Sequence, residues 1–293
     1  MDLYRTHSRF SDPGAAAPWL DTVGPDVADI RAATSGLVFH YRAHGDITDH
    51  GFPAERQAEI NLRYADDMFA RLHELNPAPL GAERAPTERI VGCCRDATLL
   101  FVALARHHGV PARARVGFAT YLLPGWALDH VIAEIWDGDR WRLVEPELPA
   151  GHVDPGDGVE LDLLDVPREK FLVGADAWAH CRSGSGDPDR FTVGPDVPVA
   201  FLRGWPYLTH NLVFDLAALN GQELILWDVW GLVGKLEAGP PDRMDALAEL
   251  LRTPGVPLTG LAAALAADDL RIPDAVLCMT PFGTPEQVTL RTG

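Results

Sequence analysis

The chain has 293 residues, 47% of them hydrophobic, enough for one large or two small packed domains. It carries 25 Lys and Arg against 42 Asp and Glu, a net charge of −17, which argues against holding nucleic acid or an anionic membrane by its overall field. No stretch approaches the roughly 20 uninterrupted apolar residues of a membrane span. The opening MDLYRTHSRFSDPG lacks the basic and apolar regions of a secretory signal.

Four cysteines (Cys93, Cys94, Cys181 and Cys278) are too few for a disulfide framework. A reducing cytoplasm fits, and the abundance of Arg, Ala, Gly and Pro resembles the output of a GC-rich bacterial genome. Cys181 and Cys278 read as small buried hydrophobes.

In chain order, residues 25–41 read as a helix opened by Pro and Asp. Residues 54–75 read as an amphipathic helix, with Ala58, Leu62, Ala65, Phe69 and Leu72 on one stripe. Residues 94–108 are apolar nearly all round, the pattern of a buried helix, closed by Gly109 and Pro111. Three strand-like segments follow at 113–122, 130–136 and 140–146, the last two separated by Asp137-Gly138, a hairpin signal. Residues 150–166 form an acidic, Gly-rich loop, and helices are expected over 168–181, 207–219, 222–235 and 243–252. Helices around an antiparallel sheet make the fold class α+β.

Two adjacent cysteines stand where the buried helix begins. Free N–H groups and a partial positive charge at a helix N-terminus favour a thiolate and can hold an oxyanion. A nucleophile needs a base, and the base an orienting partner. A two-residue turn at Asp137-Gly138 would set His130 across from Glu145, whereas a four-residue turn would set it across from Glu147. Both glutamates lie on one face, so either register offers a carboxylate.

The stretches GCCRDATLLFVALARHHGVPARARVGF and DHVIAEIWDGDRWRLVEP resemble the transglutaminase-like superfamily over about residues 88–148. The resemblance implies a papain-like core in which a buried nucleophile helix packs on an antiparallel sheet, flanked by extra N- and C-terminal helices. It implies a triad of Cys94 as nucleophile, His130 as base and Glu145 as third member, where the family usually has Asp. The implied division is an N-terminal helical segment (1–85), a catalytic core (86–166) and a mainly helical C-terminal region (167–293) completing the same domain.

The expected activity is cysteine-dependent acyl transfer through a thioacyl-enzyme on Cys94. Its resolution by an amine gives an acyltransferase and by water an amidase or peptidase, acting on a small-molecule or carrier-bound acyl substrate, with specialised metabolism a fitting setting. The alternative is a catalytically silent binding module with the same fold. Trp126, in the loop before His130, is expected to wall or cover the substrate. Cys93 would lend its backbone N–H, and Asp129 is a further substrate-side residue.

Trp227 and Trp230 read as helical core residues more readily than as a pocket. The eleven histidines show no zinc spacing and no loop is dense in oxygen ligands, so neither metal nor cofactor is expected.

Overall fold

The computed structural model describes residues 2–292. The chain opens with α1 (Asp2–Arg5), α2 (Ala17–Leu20) and α3 (Val27–Thr34). The helix expected over 25–41 therefore ends early. Val38, Phe39 and His40 form β1 (Val38–His40), parallel to β2 (Ile90–Gly92), with His40 registered on Gly92. A β-branched and aromatic run with a strand to pair against overrides the helical pattern.

The helix expected over 54–75 is also broken. Residues Ala54–Asn61 form a 3-10 segment, Leu62 and Tyr64 are extended, and α4 (Ala65–Leu75) follows. The break turns Arg63 onto Asp228, 3.0 and 2.8 Å away. Ala65, Phe69 and Leu72 are buried as the stripe requires, but Ala58 is exposed.

Next comes α5 (Cys94–His107), whose residues 94–106 are all buried. It ends at Gly109, whose φ of 76° suits a residue without a Cβ. It packs on β3 (Ala112–Ala119) and β4 (Ala127–Trp136), and Thr98 Oγ1 donates to the Val131 carbonyl at 2.8 Å. A hairpin leads to β5 (Trp141–Val144). The helix expected from 168 starts late, because β6 (Phe171–Val173) first pairs with β3, and only then does α6 (Gly174–Arg182) begin. A Cβ at Gly117 would meet the Leu172 carbonyl oxygen at 2.2 Å, so that pairing needs glycine there.

β7 (Phe191–Thr192) runs parallel to the start of β4, and α7 (Gly204–Leu219) lies across β3. The main sheet has the order β5-β4-β3-β6, with β7 beside β4. Arg115 ties α7 to it, buried between Glu134 and Asp215 at 2.9 Å from each.

No helix forms over 222–235. β8 (Asp228–Val229) runs there, followed by a 3-10 turn at Val233–Lys235. After α8 (Pro241–Arg252) and α9 (Leu258–Leu265), β9 (Ala275–Cys278) and β10 (Glu286–Thr289) join β8 in a second sheet, ordered β10-β9-β8. The fold is α+β, with the helix carrying Cys94 packed on an antiparallel sheet. No helix among the described residues is long and apolar enough to cross a membrane.

Candidate active site

Cys94 is the first residue of α5 and Cys93 its N-cap. One acid and one base, Asp96 and Arg95, fix this helix start. The Cys93 amide donates to Asp96 Oδ2 at 2.9 Å, and Arg95 reaches Asp96 Oδ1 at 3.0 Å and the Arg63 carbonyl at 2.6 Å. Gly92 lies beneath them, where a Cβ would meet Asp96 Oδ2 at 2.5 Å. The Asp96 amide donates to the Cys93 carbonyl at 2.9 Å, and the amides before it in the first turn have no acceptor within the helix.

His130 on β4 is buried, and its Nε2 lies 2.7 Å from Glu145 Oε2. Tyr121 Oη donates to the same oxygen at 2.6 Å, and the Glu147 amide donates to Oε1 at 3.1 Å. With Nε2 engaged, Nδ1 is the ring nitrogen free to serve a thiol.

The hairpin register differs from the one that predicted this pair. Asp137 N–H donates to the Arg140 carbonyl, and Trp136 pairs with Trp141, so the turn holds four residues rather than two. Continued past β5, that register would put Glu147 across from His130 and Glu145 one step away on the diagonal. The chain leaves the ladder at Pro146, and the longer Glu145 side chain spans the diagonal, a distance of about 7 Å between neighbours of this kind. An Asp would fall short by one methylene, which accounts for Glu at this position.

Burial alone would push His130 down, but the Glu145 carboxylate outweighs it, helped by Glu147 and Asp129, and its pKa rises. Burial would push Glu145 up, but His130 and Tyr121 hold it below the usual carboxylate range. Glu147 lacks such partners and burial lifts it to about 8. Burial lifts Asp129 to about 6 against a 2.7 Å hydrogen bond from Tyr207.

The Cys94 thiol also departs from expectation. Its contact with Cys93, then burial, then Glu147 and Asp129 raise its pKa well above the ordinary value. The helix N-terminus does not by itself make a resting thiolate, because desolvation and nearby acids oppose it. Among the described residues no hydrogen bond joins Cys94 to His130.

Cys93, Cys94, Asp129, His130 and Glu147 line one cavity of about 590 Å³. Trp126 does not line it. It lies under the guanidinium groups of Arg190 and Arg203, 4.8 and 5.2 Å from the ring centre. Trp227, expected in a helical core, lines the cavity from the strand region of β8 and donates to Asn61 at 2.8 Å. Trp230 is core and donates to the Leu270 carbonyl, and Asp228 serves Arg63. Cys181 and Cys278 are buried.

Sequence reasoning passed over His40, which also lines the cavity. Its Nδ1 accepts from the amides of Arg42 and Ala43, both at 3.1 Å, so its proton sits on Nε2, 4.0 Å from Glu147 Oε1. Burial and His130 push its pKa to about 3, which keeps the ring neutral. Nothing in the local sequence marks His40. The β1–β2 pairing carries it to the nucleophile. Among the described residues no group of three His, Cys, Asp or Glu is placed to hold a metal.

Residues 50–146 match the family model of the transglutaminase-like superfamily, a span containing Cys94, His130 and Glu145. This segment is similar to the core of that superfamily. Its match reaches back to residue 50, beyond the stretch in which the resemblance is read from sequence. One solved structure, a candidate cysteine protease from Cytophaga hutchinsonii, is 17% identical, with a TM-score of 0.35 over 58% of this chain and 44% of that one. The alignment thus spans less than half of that protein. No curated protein matches the chain. Much of the cavity wall lies outside the transglutaminase-like core, at residues 193–210, 226–237 and 279–281.

Proposed function

We propose that this protein is a cysteine-dependent acyl-transfer enzyme. The observation that carries the reading is His130, held at 2.7 Å by a desolvated carboxylate and lining the same cavity as Cys94. His130 Nδ1 takes the Cys94 proton as the sulfur attacks a carbonyl carbon, and Glu145 stabilises the imidazolium. The Cys94 amide and His40 Nε2–H donate to the developing oxyanion. A neutral, pre-aligned donor suits that task because it needs no reorganisation during the reaction. The leaving group takes the proton back from His130, leaving a thioacyl-enzyme. Water or an amine then attacks, His130 accepts its proton, and the thiol is restored.

Because the resting thiol is protonated, the ion pair forms as the substrate carbonyl engages the site. The test is a burst of nitrophenolate from p-nitrophenyl butyrate, with the butyryl adduct located by mass spectrometry. The expected adduct is on Cys94, absent in Cys94→Ala and slowed at least about 10²-fold in His130→Ala. Added hydroxylamine distinguishes the two fates: hydroxamate as the main product favours a transferase, and free acid an amidase. A fold without burst or adduct would instead support the silent binding module.

A further inference from the structure

We infer that the cavity beside Cys94 takes an uncharged, apolar acyl group, delivered as a thioester. The inference rests on the acyl-transfer reading and names its donor class. A cavity of about 590 Å³ is far larger than a two-carbon acyl group requires and lies in the usual range for a whole small ligand.

Its walls are Leu128, Val193, Phe201, Leu226, Trp227 and Val229, with few polar groups among them. Charge narrows the choice further. Arg42 is the lining's guanidinium, and it is engaged by Asp196 at 2.9 Å, where both side chains reach solvent. Among the described residues no lysine lines the cavity. Of its four histidines, His40 and His210 are pushed down to about 3 by burial, His44 is lowered as well, and His130, the one that is raised, is held by Glu145 at 2.7 Å. Four acids line the cavity: Asp129 and Glu147 next to Cys94, Asp196 paired with Arg42, and Glu237. A dicarboxylic acyl group would meet carboxyl groups and no free cation. An acyl group with a distal amide would lose water without gaining partners on the apolar wall. A hydrocarbon chain meets neither penalty and gains from burial.

In the acylation step the Cys94 sulfur bonds to the acyl carbon and the carbon–sulfur bond of the thioester breaks. The departing thiolate takes the proton held by His130. A thioester needs no strong acid for this departure, which fits a site whose general acid is one histidine.

The experiment compares N-acetylcysteamine thioesters of acetate, octanoate and succinate, measuring thiol release and locating the adduct by intact mass. Octanoyl should exceed acetyl by about 10²-fold or more in kcat/KM, since each buried methylene adds severalfold or more, and succinyl should be slowest. Leu226→Trp and Val193→Trp, which fill the wall, should each lower the octanoyl-to-acetyl ratio at least about tenfold. Acetyl or succinyl matching octanoyl would overturn the assignment, as would an unchanged ratio in both folded variants. If the nitrophenyl ester acylates Cys94 and no thioester does, this donor class falls and the acyl-transfer reading stands. If neither does, the acyl-transfer reading falls first.

Discussion

The site is built from two regions made in different ways. In the segment from β2 through α5 to β4, each chemical group is placed by its own element: Cys94 by a helix start, His130 by a strand, and the two linked by α5 packing on the sheet. The wall formed by residues 193–210, 226–237 and 279–281 combines the start of α7, β8 and irregular chain, and is held by distant contacts such as Arg63 with Asp228 and Trp227 with Asn61. On the proposed reading the first region supplies reactivity and the second selectivity. Changes in the first should therefore remove turnover at constant fold, and changes in the second should alter stability or substrate choice.

The largest expected effect is Cys94→Ala, which should abolish turnover and the acyl adduct while moving the melting temperature little. Cys93→Ala should retain turnover within about tenfold, since its amide, expected to serve the site, is taken by Asp96 and its thiol has no part in the proposed reaction. Steady-state kinetics with thermal melts check both, and a dead Cys93→Ala beside an active Cys94→Ala would move the nucleophile by one residue.

Next is the third triad member. Glu145→Gln should cost about 10²- to 10⁴-fold in kcat, and Glu147→Gln far less, because Glu145 alone touches His130. The reverse order would assign the orienting role to the residue that the four-residue turn places opposite His130. In the wild type, kcat/KM should rise with pH through a value above 6.5, because His130 must be neutral to act and its pKa is raised.

His40→Ala should lower kcat by about 10²-fold with KM nearly unchanged, and His40→Gln should recover part of the loss through its amide donor. Equal losses in the two variants would mean that His40 only packs.

In the wall, Arg63→Met should destabilise the fold by about 3 kcal/mol, because it leaves Asp228 buried without its partner. Denaturant titration reads this directly, and a change under 1 kcal/mol would mean that the wall is held by other contacts.

The smallest effect concerns Glu147. The unfolded chain loses this proton near 4.5 and the folded chain near 8, so the wild type loses stability as pH climbs between those values. Glu147→Gln removes that dependence. Its melting temperature should gain a few degrees on the wild type between pH 5 and pH 8, and parallel melts that keep a constant offset would contradict the raised pKa.

The buried helix over 94–108, its Gly109 stop, the strands after it and the placement of Cys94 and His130 on them were legible because each rests on a local pattern. Glu145 was legible as a partner for a different geometric reason than the true one: the turn signal at Asp137-Gly138 suggested two residues where the chain uses four, and a longer side chain met the histidine from the diagonal. His40 and Trp227 were not legible as cavity residues. His40 sits in a segment whose helical pattern yields to a strand only because β2 is there to pair with it. Trp227 sits where an apolar run without caps reads as helix, but β9 recruits the segment into a sheet. Trp126 was expected at the substrate because it is near His130 in sequence, yet two arginines draw it aside.

By itself, then, the sequence determined the helix that starts at Cys94, the strand that bears His130, and the acidic charge that argues against polyanionic partners. Periodicity, caps and net charge are properties of neighbouring residues. Only the tertiary structure decided which carboxylate meets His130, that the Cys94 thiol rests protonated, and that an apolar cavity closes over it. Those outcomes depend on desolvation and on contacts between residues far apart in the chain, such as Asn61 with Cys278, 217 positions apart, which no local pattern encodes.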